Sequence, residues 1–325
     1  MIVAFIQRAI VQGIPLLFGS TGEIITEKSG NLNLGTAGVM YVGGISGVIG
    51  AFIYEQSVET VNPFLAVLIP LLSSVLGSAI MGLIYALLTV TFRANQNVTG
   101  LALTTFGVGF GNFFGGSLIK ILDTDVPSIA LSATSKCFKT GLPFADKFGV
   151  IGEIFFSYSF LAYVAIIIAL ITSFYFNKTR SGLHLRAVGE NPATADAAGI
   201  NVSAYKYGST VIGSVIAGLG GLYYVMDYAD GVWSNDGFGD RGWLAIALVI
   251  FAVWKPNIGI LGSFLFGGLL IIHNYIPNLT LSAQELFKMA PYVVTIIVLV
   301  VISMKRKREN LPPQSLGLSY FREER

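Results

Sequence analysis

Glu23 is the only carboxylate set well within apolar sequence, and two asparagines, Asn31 and Asn33, follow it in the stretch GNLNLGTAGVM, Gly30 to Met40. Polar side chains at membrane depth are costly, so such groups face a cavity or another helix. Two uses are open for the asparagines: lining a solute path, or hydrogen-bonding a broken helix. Glu23 has a plainer use as well, as a helix-capping or snorkelling residue. Farther along, Asn112 stands in a glycine-striped run with Phe106, Phe110 and Phe113 nearby. Aromatic faces and an amide edge suit a flat polar ring, the first by stacking and the second by edge hydrogen bonds. Phenylalanines facing lipid are the simpler account. Asn95 and Asn97, in RANQNVTG, are expected in an ordinary turn anchored by Arg93.

A second constellation lies in the polar interlude Asn177 to Ile200, NKTRSGLHLRAVGENPATADAAGI. Asn191 fits an N-cap, Pro192 fits the first helical position, and Gly199 sits where a left-handed C-terminal residue belongs. The pattern predicts a helix of about two turns, and one that short does not hold itself together in water. It needs a surface to rest on.

Enzyme signatures fail. The nearest approach to a Walker A loop, Gly22 to Ser29, has Glu27 where the second glycine must stand. Gly237, Gly239 and Gly242 satisfy G-x-G-x-x-G formally, yet they follow an acidic loop rather than a strand. No G-x-S-x-G occurs, and His184 and His273 are not set in an H-E-x-x-H helix. Cys137 is the single cysteine, which rules out an internal disulfide and leaves no metal-ligand partner at motif spacing.

The elements that must position these residues are membrane helices. Apolar residues make up 54% of the 325, charged residues 12%, and the mean hydropathy is +0.71, where a soluble domain carries about 25% charge. Runs long enough to cross the hydrocarbon as helix begin near Phe5, Leu34, Phe64, Val98, Phe156, Ala204, Trp243, Ile258 and Pro291. The fold class read from this is all-α, a polytopic transmembrane helix bundle of about nine spans, with eight to ten allowed because the run at Trp243 to Val253 is short for a full crossing and reads either as a half-helix or as joined to its neighbour around Pro256. The first span lacks a small-residue cleavage site, so no cleavable signal peptide is expected. Arg93, Lys178, Arg180, Arg186, Lys255 and the cluster Lys305 to Arg308 mark the cytoplasmic side. The acidic loop Asp227 to Asp240 and the loop with Glu55 and Glu59 then face outward. Residues 120–155 carry four lysines but fall outside by helix parity, which also places the N-terminus outside for nine crossings.

These assignments divide the chain into a transmembrane region, 1–304, with an external loop at 120–155 and a cytoplasmic segment at 177–202, and a cytoplasmic tail, 305–325. Small residues recur every fourth position at Gly107, Gly111 and Gly115, at Gly213, Ala217 and Gly221, and at Gly259, Ser263 and Gly267. Close helix packing in lipid needs such stripes.

The segments Gly30 to Met40, Ser181 to Ile200 (SGLHLRAVGENPATADAAGI) and Asp240 to Pro256 (DRGWLAIALVIFAVWKP) resemble the permease subunits of ATP-binding-cassette importers, in the group serving branched-chain amino acids, ribose and other simple sugars, and nucleosides. The second segment is the most specific, resembling the coupling segment of nucleoside and simple-sugar permeases. The tail LGLSYFREER, Leu316 to Arg325, is also like that of a paired nucleoside permease. In the first motif Ala37 replaces the glutamate often found in the family, which fits a second, different permease chain carrying what this one lacks.

The resemblance implies an ABC importer permease fold in the bacterial inner membrane and a docking role for Arg186, Glu190, Asn191, Pro192, Ala195, Asp196, Ala198 and Gly199 against a separate ATPase. Alanines would permit close approach, with Arg186, Glu190 and Asp196 orienting the rim. The chain itself would bind no cofactor, since ATP and Mg belong to the ATPase, and would contact no nucleic acid. Its other partners would be membrane lipid, a second homologous permease and an extracellular solute-binding lipoprotein. Nucleosides are the favoured solute, with riboflavin or a ribose- or galactose-like sugar as alternatives. A secondary transporter is the competing class, and it lacks ionisable residues suited to coupling apart from Glu23.

Overall fold

The computed structural model describes residues 2–122, 128–139, 149–277, 279–305 and 311–321. The basic cluster after Lys305 and parts of the 120–155 loop and of the tail lie outside the described residues. The chain forms α1 (Ile2–Glu27), α2 (Thr36–Ser57), α3 (Pro63–Ala86, continued by a wide turn Leu87–Thr91) and α4 (Gln96–Leu122). After these come β1 (Ser128–Ala130), α5 (Ser132–Phe138), α6 (Gly149–Phe155), α7 (Phe160–Lys178), α8 (Arg180–Glu190), α9 (Pro192–Ala197) and α10 (Val202–Tyr223, continued by a wide turn Tyr224–Tyr228). The last group is β2 (Val232–Ser234), α11 (Arg241–Phe251), α12 (Pro256–Ile271), α13 (Leu281–Lys288) and α14 (Ala290–Lys305).

Among the described residues, seven helices are long and apolar enough to cross a membrane, the last of them running Leu281–Val301 through α13 and α14. Nine were expected. The other two are α4, which is 27 residues long but diluted by threonines, glycines and Asn112, and α11, which has only 11 residues. α4 connects the same two ends of the bundle as the longer helices, whereas α11 opens beside Ala37 at the start of α2 and packs along the later part of α1, from Gly19 to Glu27. α4 runs from Gln96, beside the tail, to Gly115, beside Trp233. α11 ends at a reversal in which Val253 and Trp254 both adopt left-handed backbone, φ 55° and 53°. The short run therefore neither crosses as a full-length helix nor merges with α12.

Burial sorts the layers. In the apolar windows of α2 and of α10 with its continuation, 83% of residues are buried, against 11% across Leu281–Val301. α2 and α10 are the inner helices, and α14 lies on the periphery. The expected small-residue stripes are the seams between them. Gly107 packs backbone to backbone on Gly38 of α2, while Gly111 and Gly115 make room for the Tyr41 and Trp233 rings. Gly213 and Ala217 meet Gly22 of α1, and Gly221 meets Met40 of α2. Gly267 and Ser263 meet Ala9 and Gly13 of α1, whereas Gly259 is the looser end of its stripe.

A side chain at Gly107 has no room, because its Cβ would lie 2.5 Å from the Gly38 carbonyl oxygen. Gly109 faces open space on the same helix. We expect Gly107→Leu to force α2 and α4 apart and to abolish the monodisperse peak on size-exclusion chromatography in detergent, while Gly109→Leu leaves it intact.

One feature departs from an all-α reading. β1 and β2 pair antiparallel, with Ile129 opposite Trp233. The 120–155 loop and the acidic loop, expected as separate external segments, are thereby joined into one cap, and Leu131 N–H donates to the Gly231 carbonyl to close it.

Candidate functional site

At the end of the bundle that carries α8, α9 and the tail, the eight residues between α1 and α2 form an irregular loop that begins at Lys28 and is held largely by side chains. Glu23 is 1% exposed. Its carboxylate accepts hydrogen bonds from the Thr36 hydroxyl and from the Asn33 backbone N–H, the latter at 3.1 Å. Asn33 Oδ1 in turn accepts from Gly35 N–H at 2.9 Å. Asn31 Nδ2 donates to Thr210 Oγ1 of α10 at 3.0 Å. Leu32 N–H donates to Gln96 Oε1 of α4 (2.7 Å), and its carbonyl accepts from the Tyr85 hydroxyl of α3 (2.5 Å). A backbone without helical bonds survives at this depth only when protein groups replace water.

Glu23, Asn31 and Asn33 are therefore brought together, and in this arrangement Glu23 and Asn33 accept from backbone N–H groups of the loop while Asn31 ties it to the Thr210 side chain. Asn31 Oδ1 is the atom of the three side chains that is buried with no partner among the described residues. Gln96, Tyr85, Thr36 and Thr210 complete the web and were not singled out from sequence, since a lone polar residue in a helix carries no signal of what it faces. Ala37 fits its neighbour closely: it packs on Gly242, which opens α11 and has no room for a Cβ there.

The polar interlude is two helices rather than one. α8 starts at a Thr179 cap, whose Oγ1 accepts from Gly182 N–H at 3.0 Å. α9 starts at Asn191, whose Oδ1 accepts from Thr194 N–H at 3.0 Å, with Pro192 in the first turn. Gly199 closes it at φ +82°. A six-residue helix is not self-supporting, and its support comes from within the chain. Ala195 is 3% exposed in a small cluster with Val188 and Val202, against which Tyr320 also packs. Ala195 therefore cannot offer its side chain to a partner, in contrast to the expectation for it. Asn191, Thr194, Ala197, Ala198 and Gly199 face outward, as does Glu190, while Pro192, Asp196 and Arg186 are half-buried.

The tail is the strap that fixes this segment. Ser315 N–H donates to the Gly189 carbonyl at 3.0 Å, and Gly317 N–H donates to the Gly30 carbonyl at 3.1 Å. The Tyr320 hydroxyl donates to Asp196 Oδ2 at 2.8 Å. Gln96 Nε2 donates to the Leu318 carbonyl at 3.4 Å, and the Arg93 guanidinium lies 4.5 Å from the Phe321 ring centre. Five neighbouring residues of the tail thus touch α8, α9, the loop after α1, and the start of α4.

At the opposite end, Asn112 spends its amide on the cap. Tyr41 OH donates to Asn112 Oδ1 at 2.6 Å, and Asn112 Nδ2 donates to Asp236 Oδ1 at 2.9 Å. Asp236 N–H returns a bond to the Tyr41 oxygen at 2.8 Å. Trp233 meets Tyr41 edge to face at 5.2 Å, and the Arg241 guanidinium stacks 4.5 Å from the Tyr224 ring centre. Phe106 and Phe110 sit lower on α4 with ring centres 5.9 Å apart, and Phe106 is 53% exposed on the outside of the chain. Asn112 is thus not joined to Phe106, and the aromatic neighbours of its cluster are Tyr41 and Trp233.

A bundle with a broken first loop, a capped helix pair at one end and a loop cap at the other defines a polytopic membrane permease. Residues 5–299 match the family described as branched-chain amino acid transport system / permease component, and the chain belongs to that family. It is a permease subunit of an ATP-binding-cassette importer and a multi-pass protein of the inner membrane. It is similar to the nucleoside ABC transporter permease protein NupC of Lactococcus lactis subsp. cremoris, with 30% identity over 321 residues, covering 98% of this chain and 96% of that one. The guanosine ABC transporter permease protein NupQ of Bacillus subtilis is 32% identical over 303 residues, 90% of each chain. The putative glucose ABC transporter permease protein TsgC13 of Haloferax volcanii is 28% identical over 340 residues, 98% of this chain and 97% of that one.

Proposed function

We propose that this chain forms the translocation path for a nucleoside, and that a separate cytoplasmic ATPase drives it through α9. The observation that carries the coupling half is the exposed, doubly capped face of α9, held in place by Val188 of α8, Val202 of α10 and Tyr320 of the tail. A rigid projection transmits a push, whereas a frayed one absorbs it. The names of the NupC and NupQ relatives support the nucleoside half. A simple sugar is the second reading, favoured by the TsgC13 likeness.

In this reading Asp196, tied to Tyr320, orients the rim, and Arg186 and Glu190 flank it. The cap joined by β1 and β2 receives a solute-binding lipoprotein. Outward opening releases Asp236 from Tyr41 and Asn112, which frees the amide of Asn112 to meet an incoming base. The exposed Phe106 ring, backed by the half-buried Phe110, faces a second permease subunit across the path. ATP and Mg are held by the ATPase.

The test is uptake of labelled guanosine, ribose and riboflavin by cells expressing the chain with its partners. Guanosine uptake that stops on ATP depletion and survives an ionophore is the expected result. The reverse pattern of sensitivities identifies an ion-coupled carrier and ends the proposal, while uptake of the sugar alone ends its nucleoside half.

A further inference from the structure

A polar cavity of about 540 Å³ opens at the cytoplasmic end, between the last turn of α7, the first turn of α12 and the loop after α1. Three cations line it, Lys28, Arg186 and Lys255, against one carboxylate, Glu190. The nearby Glu27 already accepts a bond from Trp254 Nε1. Arg186 Nε is buried and has no partner among the described residues. Burial pushes the Lys28 amine down from its ordinary value, and Glu190 pulls it back up against the opposing effect of Arg186 and Lys255. A like-charged cluster of this kind is stabilised by an anion entering it. The N-terminus of the 16-residue α12 adds a further positive end at Pro256.

The flanks of the cavity say what the anion is attached to. Asn177 lines it from α7, and one and two turns deeper on the same helix face stand Phe174 and Leu170, 63% and 52% exposed. Asn257 lines it from α12, and its deeper neighbours at helical spacing are Leu261 and Leu265, 72% and 47% exposed. Two apolar rows therefore descend into the hydrocarbon from one basic cavity at its cytoplasmic surface. We infer that this cavity binds the phosphate headgroup of an anionic phospholipid of the inner leaflet, with the acyl chains lying along the exposed rows of α7 and α12. Basic pockets between helices on this side are suited to such headgroups.

The experiment is native mass spectrometry of the full chain released from nanodiscs of equal phosphatidylglycerol and phosphatidylcholine. Phosphatidylglycerol retained in clear preference to phosphatidylcholine is the expected result. Lys28→Gln and Lys255→Gln should each lower that retention about fivefold, the loss of about 1 kcal/mol for one basic contact. Arg180→Gln, an exposed cation of α8 outside the cavity, should leave it unchanged. The comparison of the two lipids on the wild-type chain does not depend on the variants folding. Equal retention of the two lipids overturns the inference. So does displacement of phosphatidylglycerol by inorganic phosphate at matched concentration, which would assign the cavity to a free anion.

Discussion

Glu23→Ala should abolish uptake by unfolding the loop after α1, and the loss should register first as lower thermal stability. The carboxylate is buried and accepts from Thr36 and from Asn33 N–H. Removing it leaves the Asn33 N–H buried without a partner, at about 1–3 kcal/mol, and leaves the Thr36 hydroxyl only its 3.2 Å bond to the Asn33 carbonyl. A loss of that size is a large fraction of a domain's total stability. Glu23→Gln keeps the shape, and its oxygen can accept from Asn33 N–H while its amide N–H donates to the Thr36 hydroxyl, whose own proton has the Asn33 carbonyl as acceptor, so its loss should be well under that of the alanine. Fluorescence-detected melting in detergent measures the ranking wild type, then Gln, then Ala. A solute-contacting Glu23 gives a different pattern: unchanged melting in both variants and a KM shift in uptake. That outcome would transfer the residue from the framework to the path.

The helices were legible because a membrane span declares itself by composition alone, and the three glycine stripes marked seams because only small residues let backbones meet in lipid. The caps of α9 were legible for a local reason, since Asn191, Pro192 and Gly199 act on residues within one turn of themselves. What stayed hidden depends on residues far apart in the chain. Tyr320 meets Asp196 across 124 positions, and Asn112 meets Asp236 across the same separation. No spacing rule reaches that far. α8 was missed for another reason: its apolar face is short and its caps, Thr179 and Asn191, lie in a stretch whose charge reads as loop. The pairing of Asn112 with Phe106 failed on geometry, because residues six apart on a helix point in different directions.

The widest separation between folding and function is expected within α9 itself. Ala198, the residue just past the last turn of this small helix, is exposed, and Ala195, three residues earlier, is buried. Ala198→Arg adds a long charged side chain to the outward face without touching the chain's own packing. Its melting temperature should match the wild type, whereas co-purification of the ATPase and uptake should both fall, by roughly 30-fold if the contact carries about 2 kcal/mol as central interface positions do. Ala195→Leu does the opposite. Its extra carbons have to fit among Val188, Val202 and Tyr320, an overpacking that costs about 1–3 kcal/mol of stability. It should lower the melting temperature, and any loss of uptake should follow the amount of folded protein. Assaying the two variants side by side, with uptake normalised to folded protein, separates a docking surface from a structural one. If Ala198→Arg transports normally with its ATPase attached, the outward face of α9 is not where force enters the bundle.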